Sequence, residues 1–195
     1  VLQVRIHGRG GQGVVTAAEL LSVAAFAEGR HAQAFPSFGS ERTGAPVVSF
    51  CRIDDRPIRT RETITEPDVV IVQDATLLGQ IDVFGGLREA GYVVVNSPRP
   101  FAELGLEAVA TRCGPGHVCT VPATALALAH VGRPVPNAVL LGAFAALTGA
   151  VSLHSVLDTV TERFEGRVGR ANAEAAAEAY RLVRPVTPEV TRAAS

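Results

Sequence analysis

Apolar and polar positions along the chain alternate between two rhythms. Val1 to His7 shows a strand-like alternation that ends in glycines, and Val14 to Glu28 is an alanine- and leucine-rich helical stretch closed by Gly29. His31 to Phe35 reads as a short second strand, followed by a loop of turn formers from Pro36 to Thr43. Ala45 to Ile53 is β-prone, and Asp54-Asp55 is placed to turn it back into Pro57 to Arg61, which predicts a β-hairpin excursion after the second strand. Asp68 to Gln73 and Tyr92 to Val95 are near-continuous apolar runs, as strands buried on both faces are. Leu77 to Ala90 reads as helical and Leu106 to Thr111 as a further strand. Pro122 to Val131, Asn137 to Thr148, Leu153 to Arg163 and Asn172 to Val183 have helical periodicity. The pattern predicts one α/β domain over residues 1–184, Rossmann-like, with a mostly parallel sheet and a helical C-terminal part. Residues 185–195 read as a loose tail.

The first break between rhythms carries the main chemical signal. Gly8, Gly10 and Gly13 form a G-x-G-x-x-G pattern between a strand and a helix. Glycine there lets the backbone approach a ligand closely, while the helix N-terminal N–H groups point at an anion. The same spacing also serves a tight turn that binds nothing. A dinucleotide site of the NAD type needs a carboxylate at the end of the second strand to hold the ribose hydroxyls. Here that strand ends in Phe35-Pro36-Ser37-Phe38, and the next charged pair is Glu41-Arg42. An arginine suits a phosphate better than a ribose diol, so a phosphate-bearing ligand other than NAD is favoured.

Composition narrows the chemistry further. The 195 residues carry a net charge of -1, which gives no global support for a nucleic-acid or membrane surface. All 18 basic residues are arginine, so Walker A, Schiff-base and acylated-lysine chemistry are excluded. Cys51, Cys113 and Cys119 contain no C-x-x-C and do not supply the close, regular thiolate spacing of an iron–sulfur cluster. Zinc spacing is lacking too, and no metal site is expected. The odd cysteine count, without a signal-peptide pattern, suits a reducing cytoplasm. No apolar run reaches the roughly eighteen residues of a membrane span.

Four stretches, in order, add a resemblance: RIHGRGGQGVVTAAELL, QAFPSFGSERTGAPV, EPDVVIVQD and GRPVPNAVLLGAFAALTG. Together they resemble the γ subunit of pyruvate and related 2-oxoacid:ferredoxin oxidoreductases, over about Val4 to Tyr180. The resemblance implies a complex that converts a 2-oxoacid and coenzyme A to acyl-CoA and CO2 while reducing ferredoxin. Thiamine diphosphate, Mg2+ and [4Fe-4S] clusters would sit on thiamine-binding and ferredoxin-like partner subunits. This chain would bind coenzyme A and hold no catalytic residue, so it would be inactive alone.

Position by position, the resemblance assigns Arg9, Gly10, Gly11, Gln12 and Gly13 to a loop that approaches coenzyme A. It gives Arg42 a cationic role beside phosphate, although Thr43 stands where relatives often carry a second arginine. Asn137 and Asn172 match two family asparagines; Asn137 reads equally as a helix cap. An indolepyruvate-type or oxalate-type assembly, or a non-enzymatic nucleotide-binding scaffold, remains the alternative. Cys113, His117 and Cys119 lie close in sequence but read as loop or core, and Asp74 reads equally as a cap or a functional group. Arg52, Arg56, Arg59 and Arg61 form a basic cluster that reads either as a docking face or as a solvated hairpin.

Overall fold

Strands covered on both faces need two layers around them, and the chain builds those layers unequally. The computed structural model describes residues 1–37 and 43–184. Arg42 and the tail 185–195 therefore lie outside the described residues. Among those described, the elements in chain order are β1 (Leu2–Arg9), α1 (Val14–Ala27), β2 (His31–Pro36), β3 (Pro46–Asp54), β4 (Val69–Val72) and β5 (Tyr92–Asn96). They continue with α2 (Glu107–Cys113), β6 (Val118–Val121), α3 (Ala123–Val131), α4 (Asn137–Thr148), α5 (Leu153–Arg163) and α6 (Gly166–Val183).

The six strands form one sheet in the order β2-β3-β1-β4-β5-β6. The β1-β4, β4-β5 and β5-β6 pairs are parallel, whereas β3 runs antiparallel to both β1 and β2. On one face, Val4, Ile6, Val69, Ile71, Val94 and Val121 pack against α1, α3, α4, α5 and α6. On the other, Val70, Val72, Val93 and Val95 meet Leu77, Val83, Leu87 and Cys113 from short irregular segments and α2. Burial on both faces explains why β4 and β5 read as unbroken apolar runs.

The chain departs from its sequence pattern in five places. The expected hairpin does not form: Pro57 to Arg61 lies in no strand. Both edges of β3 are already taken, by β1 and β2, so it has no ladder to offer a returning segment. The helix expected over Leu77 to Ala90 is only a 3-10 turn, Ala75–Gly79. Gly79, Gly85 and Gly86 weaken a helix there. The buried Arg5 also takes the carbonyls of Val83, at 3.0 Å, and Gly85, at 2.6 Å, which compete with helical bonding. The strand expected at Leu106 to Thr111 is instead α2, with Glu107 in its first turn and Arg112 in its last, complementing the helix dipole. The segment after it supplies β6, which the apolar pattern does not announce. Helix α6 also begins at Gly166, six residues before the expected Asn172.

The helical layer closes most tightly where α4 crosses α6. A Cβ on Gly142 would fall inside contact distance of the Ala176 carbonyl oxygen, so the two backbones meet without side chains between them. Gly142→Ala is expected to lower unfolding free energy by roughly 3 kcal/mol, measurable by urea titration, because main chain cannot yield as a side chain would. An exposed control such as Gly149→Asn, at a helix end with φ 62°, is expected to change it far less.

Candidate functional site

The carboxyl ends of parallel strands, with helix N-termini beside them, are where α/β sheets place ligands. β1 leaves the sheet at Arg9, turns through Gly10 to Gly13 and enters α1 at Val14. Gly11 at φ 93° and Gly13 at φ 69° use the left-handed region that glycine tolerates. Gly8 is needed for space: a Cβ there would lie 2.6 Å from Val14 Cγ2. A Cβ on Gly13 would collide with Asn137 Nδ2. Within the turn, Gln12 N–H donates to the Arg9 carbonyl at 3.0 Å, and Arg9 N–H donates to Gln12 Oε1 at 2.8 Å. Among the described residues no side chain caps α1, so its first-turn amides are left for solvent or an anion. They open on a shallow depression of about 240 Å3 lined by Arg9, Gly10, Gly11, Gly13, Val14 and Thr16.

The Arg9 guanidinium is engaged by the protein itself. It lies 3.2 Å from Asp74 Oδ2 and donates to Thr76 Oγ1, to Gln80 Oε1 and to the Gly44 carbonyl. Gln12 Nε2 donates to the same Asp74 oxygen at 2.8 Å. Burial alone would raise the Asp74 carboxyl. Hydrogen bonds from Thr76 and Gln12, with the Arg9 charge, outweigh it and hold the group below the usual carboxylate range. Asp74 also caps the 3-10 turn by accepting from Thr76 N–H at 3.0 Å. Each such partly exposed pair contributes about 1 kcal/mol or less. Their joint effect is geometric: β1, the 43–44 segment and the 74–80 segment are tied around the glycine turn.

Asn137 opens α4 directly against that turn. Its Nδ2 reaches the Gly13 carbonyl at 3.5 Å and its Oδ1 accepts from Ala138 N–H at 2.8 Å. Asn172, on α6, donates to the Val168 carbonyl one helical turn back at 2.9 Å. Both asparagines are buried and line one small, mainly apolar cavity of about 130 Å3 with Val131, Val135, Phe164 and Val168. The fold thus gathers Arg9 to Gly13 and Asn137 at one edge, with Asn172 behind them.

Two polar groups at this edge, Asn96 and Gln73, escaped the sequence reading, while a third, His7, reads there either as a ligand contact or as a hydrogen-bonded strand-end histidine. Asn96, ending β5, donates to the Gln73 carbonyl at 2.8 Å and to Thr124 Oγ1 at 2.7 Å, which fastens the strand ends to α3. Gln73 is buried at the end of β4, and its side-chain amide has no partner among the described residues. His7 is buried too: its Nε2 accepts from Arg5 Nε at 3.0 Å, and Nδ1 carries the proton. A polar residue closing an otherwise apolar strand run was the only signal available for Gln73 and Asn96.

The residues Cys113, His117 and Cys119 are not brought together. Cys113 packs on the α2 side of the sheet and Cys119 on the helical side. His117 stacks on Tyr92, with ring centroids 4.3 Å apart, and bonds the Ala90 carbonyl. Burial raises all three thiols, Cys51 and Cys119 to about 12, so none is a ready thiolate. Of the expected basic cluster, Arg52 is buried over Phe35, while Arg56, Arg59 and Arg61 are exposed.

Comparison with known proteins assigns this architecture to a family. A family model described as pyruvate ferredoxin/flavodoxin oxidoreductase matches residues 3–182. The pyruvate synthase subunit PorC of Methanothermobacter thermautotrophicus is 48% identical over 92% of this chain and 94% of its own length. The common γ subunit of the pyruvate/ketoisovalerate oxidoreductases of Thermococcus kodakarensis is 49% identical over 92% of this chain and 96% of its own. In three dimensions the pyruvate oxidoreductase subunit PORC of Thermotoga maritima is similar, with a TM-score of 0.79 at 36% identity, covering 92% of this chain and 95% of that one. A 2-oxoglutarate:ferredoxin oxidoreductase from Magnetococcus marinus, solved with 2-oxoglutarate, coenzyme A and succinyl-CoA, shares the fold over 95% of this chain and 31% of its own. Its TM-score is 0.68 at 18% identity. The chain belongs to the pyruvate ferredoxin/flavodoxin oxidoreductase family and corresponds to its γ-type subunit.

The buried histidine makes stability depend on pH. Burial, reinforced by the Arg5 charge, pushes His7 from its ordinary 6.5 down to about 4. Between those values the unfolded chain binds a proton that the folded one does not, so stability falls as pH drops from 6.5 towards about 4. The shift corresponds to roughly 3 kcal/mol across that window. Urea unfolding at several pH values is expected to show this loss, and His7→Gln is expected to flatten it.

Proposed function

We propose that the glycine turn and the N-terminus of α1 receive the phosphate-rich part of coenzyme A. The chain would then form the coenzyme side of an active site shared with partner subunits. The observation that carries this reading is the uncapped first turn of α1, reached through a turn whose glycines leave only main chain facing the ligand. Coenzyme A in the distant fold relative, and the names of the close relatives as pyruvate synthase and pyruvate/ketoisovalerate oxidoreductase subunits, support it. We read β1, the turn and α1 as a Rossmann-like unit put to this use. Arg9 acts through its backbone and as a clamp on the turn. Arg42 supplies positive charge to phosphate, Asn137 holds the turn against α4, and Asn172 shapes the cavity behind it.

When bound, coenzyme A supplies the thiol that accepts the acyl group. In the whole reaction a 2-oxoacid anion, coenzyme A and two one-electron equivalents of oxidised ferredoxin give acyl-CoA, CO2, a proton and two equivalents of reduced ferredoxin. Thiamine diphosphate, Mg2+ and [4Fe-4S] clusters belong to thiamine-binding and ferredoxin-like partners. This chain orients the coenzyme and keeps anionic groups on the helix amides.

Calorimetry on the assembled complex is expected to show binding of coenzyme A and none of NADH. NADH binding without a response to coenzyme A would overturn the reading. Gly11→Asp sets a carboxylate at the mouth of the depression, and is expected to weaken coenzyme A binding at least about tenfold through repulsion at close range. Turnover of a 2-oxoacid without any coenzyme A requirement would instead identify an oxalate-type assembly.

A further inference from the structure

Beneath the glycine turn lies a side chain that coenzyme recognition, as described, leaves unused. Gln73 directly follows β4, in which Val69 and Ile71 face the helical layer, and the two-residue period carries Gln73 to that same face. Its main chain is firmly held: the N–H donates to the His7 carbonyl at 2.7 Å, and the carbonyl accepts from Asn96. The residue is only 1% exposed, yet neither Oε1 nor Nε2 has a hydrogen-bond partner among the described residues. A primary amide desolvated at both ends costs stability that an apolar side chain of similar length would not.

The position of this amide is specific. A Cβ on Gly8 would lie 3.2 Å from Gln73 Cβ, 3.1 Å from Gln12 Oε1 and 2.6 Å from Val14 Cγ2. Gln73 therefore rises from the floor of the turn, beside the side chain that braces the turn and the first residue of α1. Gln12 is in turn fixed by Asp74, the next residue in the chain, at 2.8 Å. Two successive residues after β4 thus face the turn, one with its hydrogen bonds made and one with its hydrogen bonds open.

We propose that Gln73 is a positioning residue for this site, holding at least one internal water between its amide and the backbone of the turn. A buried water needs two or more polar partners; the amide provides a donor and an acceptor, and Gly8 and Gln12 Oε1 of the turn border the same space. The water keeps the main-chain donors in the arrangement that an anionic ligand meets. Gln73 itself touches no ligand. For its binding readout the inference rests on the coenzyme A reading; its structural readout does not.

Gln73→Met keeps the length of the side chain and removes both polar atoms, whereas Gln73→Asn keeps the amide donor and acceptor on a stem one carbon shorter. In the assembled complex, Gln73→Met is expected to keep or raise the thermal midpoint while raising KM for coenzyme A about tenfold at unchanged kcat. Gln73→Asn is expected to recover part of that loss. A higher midpoint with unchanged KM in Gln73→Met would overturn the proposal, leaving the amide as an unsatisfied core group. Should the wild-type complex bind no coenzyme A, or the variant fail to fold, a crystal structure of the wild-type chain at a resolution that orders internal water decides. Density bridging Gln73 to the turn supports the proposal, and an amide in contact with apolar atoms alone refutes it.

Discussion

The fold turns on a place where only main chain fits. Between β1 and α1 the chain must reverse against α4, and the room that a Gly13 side chain would need is already filled by Asn137. A Cβ at Gly8 would likewise press on Val14. Because no side chains intervene, the first turns of α1 and α4 come together at the edge of the sheet. The same constraint that packs the helices therefore leaves backbone donors facing outward. Packing and the outward exposure of those donors share one cause here.

The two faces of the sheet are stabilised by different physics. The helical face is an apolar layer closed by backbone approach at Gly142. The opposite face has fewer helices and uses long polar side chains to hold irregular chain. Gln3 donates to the Glu66 carbonyl, Arg5 to Ile64, Val83 and Gly85, and Arg52 to Glu62. Carbonyls 62, 64 and 66 thus alternate toward the sheet in an extended strap that joins no ladder. Burying guanidinium groups is expensive, and backbone oxygens offset much of that cost.

What could be read from the residues followed the strength of local signals. Helices α4 and α5 were placed to the residue, since their periodicity is long and Gly149 or Ser152 marks a boundary. The buried strands β4 and β5 were legible from their apolar runs. Errors gathered where tertiary contacts overrule local preference. Arg5 captures carbonyls that a helix over 77–90 would use, and the occupied edges of β3 rule out a hairpin. Strand β6 is too short and too mixed to announce itself between Gly116 and Pro122. At the site, the glycine pattern and Asn137 could be seen in one dimension. The Arg9–Asp74–Gln12 network could not, because the partners stand more than sixty residues apart and neither alone has a distinctive neighbour.

Arg5 also imposes an order on biosynthesis. The oxygens that satisfy its guanidinium belong to residues 64, 83 and 85, so they do not yet exist when β1 leaves the ribosome. At a synthesis rate of about 5–20 residues per second, the arginine waits for several seconds before its last acceptor is made. During that interval the charge must stay hydrated, which keeps one face of the young sheet wet. The helical face has no such restraint from α1, which is made immediately after β1. Vectorial synthesis and one buried cation therefore favour covering the helical side by α1 first, with the irregular strap following and α3 to α6 completing the helical layer last.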